Sequence, residues 1–328
     1  MSNSTTGNWL YHRLIAILIS IPASMVLTSC SKAPEEPLRI ASSPWPGYEP
    51  LYLARDLGYF KADKVNLFEL PSSDINMESF RNHSTDLSTL TLDETLELLH
   101  DGTRLKILAV MDISHGGDAV LAHPSIKNLS DIKGKRIAIV NIPLGLYMLT
   151  RTLDAAGVDR KDVKVYPMSE SKQEEFYKQG KADVVITFEP VKTKLKAAGA
   201  HVIFDSSQIP NEIFDLLLIH EDVYQQRTKD ACEVAKGWFK ALDYLKNEPK
   251  DAMVRISKRL GVKPDDIPAM LDGIILPSRA DNKRILGGER PGLIEPAQKL
   301  VEILVQEKML ANKVDASVAI DTNFTACY

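Results

Sequence analysis

Apolar and polar positions along this chain keep switching between two periods. Leu38 to Ser42 is a short apolar run that reads as a strand, and Ser43-Pro44-Trp45-Pro46-Gly47-Tyr48 reads as the turn that ends it. Leu51, Ala54, Leu57 and Phe60 then recur at helical spacing. The same alternation predicts a strand over Lys64 to Leu70, a short helix over Met77 to His83, and a strand over Thr85 to Thr91 that ends in hydroxyls. A helix over Leu92 to His100, started with the help of Asp93 and ended by Gly102, leads to a strand over Leu105 to Met111. The rhythm breaks at Ser114-His115-Gly116-Gly117-Asp118, and Ala119 to Ala122 leads away as a new strand.

From Leu129 to Lys135, a small helix and a glycine turn feed a strand over Arg136 to Val140. Helices are then expected over Leu146 to Ala156, Ser171 to Gln179 and Val191 to Ala198. Between them come strands over Val163 to Pro167, Ala182 to Thr187 and His201 to Phe204. Strands alternating with helices imply an α/β fold with a mainly parallel sheet. Ile213 to Ile219 reads as a strand returning to the first lobe. The chain beyond Val223 is helical in pattern, over Ala231 to Leu245, Pro249 to Leu260 and Leu293 to Lys308, with Pro277 to Gly292 as one long irregular stretch. The expected organisation is a first lobe built from residues 38–117 and the helical part 216–328, and a second lobe over 118–215. Two crossings join them as a hinge, an arrangement that closes by rigid-body motion.

The N-terminus changes the picture. Leu14 to Ser29 is an apolar run behind His12 and Arg13, short for a membrane span and placed where a secretory signal belongs. It ends in Leu27-Thr28-Ser29-Cys30, which resembles a bacterial lipobox. The expectation is a lipoprotein signal over 1–29, a lipidated Cys30 and a polar tether over 30–37, with an ordinary signal and a chance cysteine as the alternative. That places the mature protein on the periplasmic side of a bacterial membrane. The formal net charge of −4 becomes one unit more negative once Arg13 is removed, so nothing resembles a basic footprint for nucleic acid. With 44% hydrophobic residues the chain can bury a large core. Cys232, in a helical pattern, and Cys327, on the tail, could pair in an oxidising compartment but are expected not to require a disulfide.

Candidate chemistry concentrates at strand ends. In open α/β sheets the crevice at the carboxyl ends of strands takes ligands, and the turn carrying Trp45 and Tyr48 lies there. The alternative is that both rings only plug a loop onto the core. No phosphate loop, G-x-S-x-G elbow or H-E-x-x-H is present, and the histidines are dispersed. No catalytic group, cofactor or metal is therefore expected.

The opening LRIASSPWPGYEPLYLARDLGYF, the crossing GGDAVLAHPSIKNLSDIKGKRIAIV, the stretch GKADVVITFEPVKTKLKAAGA and the lipobox together resemble the periplasmic solute-binding lipoproteins of the nitrate, sulfonate and taurine type, with the related thiamine-pyrimidine binders. The resemblance covers most of the mature chain. It implies a periplasmic binding protein type II fold, two α/β lobes joined by a two-strand hinge, acting as a monomer that delivers a small solute to an ATP-binding cassette permease. The pyrimidine-synthesising enzymes that share the fold carry a cysteine-rich iron motif, which Cys232 and Cys327 cannot supply.

By the same resemblance, ligand contacts fall on Ser43, Trp45 and Tyr48, on Thr89 and Thr91, on Asp118 and Asp215 near the crossings, near Gly145 and Tyr147, and on Phe188 and Glu189. One departure matters. Oxyanion-binding members carry Gly-Ser or Gly-Thr at the start of the second lobe's first helix, where this chain has Asn141-Ile142-Pro143-Leu144-Gly145-Leu146-Tyr147. A helix N-terminus still offers N–H groups, but the hydroxyl donors are gone and the expected cleft turns hold no arginine. Trp45, Tyr48, Tyr147 and Phe188 could stack a ring or surround a cation, and Glu189, Asp118 and Asp215 could accept from amino groups. The expected ligand is thus pyrimidine-like or an amine. Nitrate, sulfonate or taurine held by backbone donors, and a sensory role with a membrane receptor in place of the permease, are the alternatives. Glu189 before Pro190 equally suits a helix N-terminus, Asp118 a turn, and Tyr147 the core, whereas Asp215 inside an apolar strand needs a partner.

Overall fold

In the computed structural model, Glu36–Tyr328 are described; the apolar run, the lipobox with Cys30 and the tether up to Glu35 lie outside the described residues. The apolar run after Pro37 forms strand β1 (Leu38–Ser42), and a single 3₁₀ turn (Pro46–Tyr48) passes into helix α1 (Glu49–Asp56). Then follow β2 (Val65–Glu69), α2 (Ser73–Arg81), β3 (Leu87–Thr91), α3 (Leu92–His100) and β4 (Leu105–Ser114). The chain crosses to a second sheet through β5 (Ala119–Ala122), β6 (Arg136–Val140), α4 (Pro143–Ala156), β7 (Lys164–Met168), α5 (Glu170–Lys178), β8 (Val184–Thr187), α6 (Val191–Ala197) and β9 (His201–Asp205). It returns as β10 (Phe214–His220), followed by α7 (Glu221–Asn247), α8 (Pro249–Leu260), α9 (Ile267–Asp272), β11 (Ile274–Ile275), α10 (Arg279–Leu286) and α11 (Ile294–Gln306).

Six strands make the first sheet in the order β11-β4-β10-β3-β1-β2, and five the second, β7-β6-β8-β5-β9. This is the two-lobed α/β architecture of the type II periplasmic binding proteins. The sheets are less parallel than the βαβ rhythm implies. β10 runs antiparallel between β3 and β4, and β5 runs antiparallel between β8 and β9. A strand that enters from the other lobe arrives in the opposite direction, so the crossing itself sets its orientation. β10 reads FDLLLIH and is buried along its whole length, which explains why its sequence is apolar apart from Asp215 and His220.

Three sequence expectations need correction. Pro277 to Gly292 is not irregular throughout, because Ser278 accepts from Asp281 N and starts α10 with a capping box. Only Asn282 and Leu286 of that helix are buried, so it shows no apolar stripe to read. α2 and α4 begin earlier than expected, at Ser73 and at Pro143 in the first turn, where proline's fixed φ suits a helix start. Cys232 and Cys327 are joined in a disulfide with Cα atoms 5.3 Å apart. The tail reaches α7 because its own aromatics pack there: Phe324 lies 5.7 Å from Tyr224 and Tyr328 lies 4.7 Å from Phe239 between ring centroids.

Candidate functional site

β1 ends at Ser42, and the two prolines of the turn hold Trp45 extended and turn the chain into α1. Both rings of this turn point inward and are anchored by carboxylates. Trp45 Nε1 donates to Asp112 Oδ2 at 2.9 Å, and the Tyr48 hydroxyl donates to Asp215 Oδ1. Gly47 is required by this seating, since a Cβ there would stand 1.9 Å from Asp112 Oδ2. At Gly117 a Cβ would stand 2.6 Å from the Trp45 ring. Phe188, just past β8 in the other lobe, meets Trp45 edge to face at 5.9 Å.

Strand register supplies the acids. Asp215 on β10 pairs with Thr91 on β3 and with Asp112 on β4, so two carboxyl groups stand opposite each other on adjacent strands. Like charges in that position repel, and here both are buried. Burial pushes Asp215 well above the usual carboxylate range, and the Asp112 charge pushes it further. Burial raises Asp112 to about 7, partly offset by the Trp45 indole and a bond to Asp215. Both acids are thus driven toward their protonated forms, Asp215 the more strongly. Asp118, at the crossing into β5, is raised to about 6 by burial, offset by Ser114 and Lys192. Burial and then Asp93 raise Glu94 to about 8.

Asp215, Asp118 and Glu94 line one narrow cleft with a cavity of about 20 Å³, room for little more than a water molecule, so the lobes must part to admit a larger solute. The first lobe contributes Ser43, Trp45, Tyr48, Ser73, Thr91, Glu94 and Asp215; Asp118 comes from the crossing; and Ile142, Leu144 and Phe188 come from the second lobe. A contact between lobes closes one side. Glu170 Oε1 at the start of α5 accepts from Ser73 N at the start of α2, at 2.9 Å.

Seven of the ten sequence candidates thus come together at the cleft: Ser43, Trp45, Tyr48, Thr91, Asp118, Phe188 and Asp215. The other three do not line it. Thr89 lies one step deeper in β3, opposite Leu217, with its carbonyl accepting from Asn76 Nδ2 at 2.8 Å. Tyr147 donates to Glu212 Oε2 at 2.6 Å, where Arg151 and Lys299 also converge. Glu189 accepts from Thr193 N at 3.1 Å and lies 3.6 Å from Lys192, the helix-start role. Gly145 serves packing, since a Cβ there would stand 2.0 Å from the Val140 carbonyl oxygen. Sequence reasoning missed Ser73, Glu94, Ile142, Leu144 and the supporting Asp112. For Glu94 a signal existed: Thr91-Leu92-Asp93-Glu94 is a capping box, formed in the structure by Thr91 N and Oγ1 donating to Glu94 Oε2 at 2.8 and 3.0 Å.

Two α/β lobes, a pair of antiparallel crossing strands and a cleft between them define a type II periplasmic binding-protein fold. Residues 45–252 match the family described as NMT1/THI5 like, and the chain belongs to that family. No curated protein sequence matches it. Among solved structures it is similar to the alkanesulfonate-binding protein SsuA from Xanthomonas axonopodis pv. citri bound to MOPS, with a TM-score of 0.74 and 17% identity over 88% of this chain and 99% of that one. It is also similar to the aliphatic sulphonate binding protein SsuA from Escherichia coli, with a TM-score of 0.72 and 17% identity over 88% and 92%. The desulfurization enzyme DszB shares the fold as well, with a TM-score of 0.65 and 16% identity over 89% and 98%. At these identities the likeness is one of fold.

Proposed function

We propose that this protein is the solute-binding lipoprotein of an ATP-binding cassette importer, anchored through Cys30 on the periplasmic side of the membrane. It captures a small solute between its two lobes, closes by hinge motion, and presents the solute to a permease. It acts in binding and not in catalysis. The solute carries amino groups or is a pyrimidine-like heterocycle. One observation carries this reading: three aromatic residues share the cleft lining with three carboxyl groups, Glu94, Asp118 and Asp215, and among the described residues the lining holds no lysine, arginine or histidine. A sulfonate or nitrate would meet those acids without a cationic partner.

The test is a thermal-shift screen of the full chain against pyrimidines, amines, sulfonates, nitrate and bicarbonate. A ligand at a hundred times its Kd adds about 2.7 kcal/mol of stability. Stabilisation by a pyrimidine or amine supports the reading, whereas stabilisation by sulfonate or nitrate alone overturns the choice of solute. Loss of uptake of that compound in a deletion strain separates delivery to a permease from sensing.

A further inference from the structure

We infer that the solute of this cleft is a small cation with N–H donors, and that Glu94 receives its charged nitrogen. The inference rests on the cleft being the solute site. Glu94 is 2% exposed. Its Oε2 is engaged by Thr91 N and Oγ1, its Oε1 is buried without a hydrogen-bond partner, and the residue lines the cavity. A buried carboxylate oxygen left without a donor is unfavourable, and that state persists where a ligand supplies the donor.

Charge narrows the class of donor. Asp118 and Asp215 line the same space, and Asp112 stands directly behind Trp45. The nearby ammonium, Lys192, is engaged by the Gly116 carbonyl at 2.8 Å and lies 3.6 Å from Glu189, and its charge reaches Asp118 rather than Glu94. A neutral hydroxyl would complete Glu94 Oε1 but would do nothing to favour the charged form of these buried acids. An anion would add to the repulsion. An ammonium or amidinium group does both tasks at once, and the rings of Trp45, Tyr48 and Phe188 favour a cation at their faces.

Benzamidine and benzamide are matched probes, nearly identical in shape and differing in charge. Measured by thermal shift and calorimetry on the full chain, benzamidine is expected to bind with a Kd about tenfold or more below that of benzamide. In Glu94→Gln that ratio should fall to about threefold or less, because glutamine preserves the capping box and removes only the charge. Equal binding of the two probes, tighter binding of benzamide, or an unchanged ratio in the variant overturns the inference. The comparison on the unsubstituted chain stands even if the variant fails to fold. If neither probe binds but benzenesulfonate or a neutral pyrimidine does, and Trp45→Ala abolishes that binding, the cleft remains the solute site and only the cation is refuted. If no compound of any charge binds, both readings fall.

Discussion

Replacing Asp118 by Asn should make the protein's stability less dependent on pH. Asp118 is 3% exposed, and burial raises its carboxyl to about 6 despite the Ser114 bond and the Lys192 charge. The folded value lies above the unfolded one, so the stabilising contribution is fully present below about pH 4 and is lost as pH rises through 6. A rise of about two units corresponds to about 3 kcal/mol across that window. Asparagine has nearly the same shape, keeps an acceptor for Ser114, and has no charge to desolvate. Urea unfolding of the unliganded protein at pH 4 and pH 8 measures the effect. At pH 8 the variant should be the more stable by up to about 3 kcal/mol, and at pH 4 the two should differ by less than about 1 kcal/mol. A difference between them that stays constant from pH 4 to pH 8 would refute the reasoning, because Asp118 would then not change its charge in the folded state over that range.

Two further outcomes follow from the same structure. Glu170→Ala removes an interlobe contact that exists only while Ser73 and Glu170 are together, so ligand Kd should rise by up to about tenfold with little change in unliganded stability; a loss of unliganded stability equal to the loss of binding energy would sink this view. Reducing the Cys232–Cys327 bridge, which spans 95 positions, should cost about 4–5 kcal/mol by the chain-entropy relation; an unchanged urea midpoint in reductant would contradict it.

The aromatic turn was legible because its cues are local: prolines and a glycine punctuate the chain, and two large rings sit between a strand and a helix. Asp215 was legible for a different reason, since a carboxylate inside FDLLLI has no structural excuse in its neighbours. Asp112 was hidden by a partner far away in sequence, and Glu94 by its local role as a capping residue. The expected strand stopped at Met111, whereas pairing with β10 carries β4 on to Ser114 and brings Asp112 opposite Asp215. Glu94 looks complete as a capping residue, and only the packed fold leaves its second oxygen buried without a donor. Tyr147 and Glu189 are the opposite case, placed outside the cleft lining. Each has the chemistry of a ligand contact, but Glu212 and Thr193 already engage it. The disulfide was obscured because nothing near Cys327 in sequence announces α7, although the flanking Phe324 and Tyr328 are the residues that dock there.

The position of β10 also dictates when the molecule can be finished. The first sheet has a gap between β3 and β4 that only Phe214–His220 fills, and those residues emerge after the entire second sheet has been made. Until then, β3 and β4 present open edges with unpaired backbone groups, which is an invitation to aggregate. Folding therefore cannot proceed tidily from the N-terminus as the chain is synthesised, and its long-range pairings make it slow. A chain of this topology cannot complete its first sheet until nearly all of it is available.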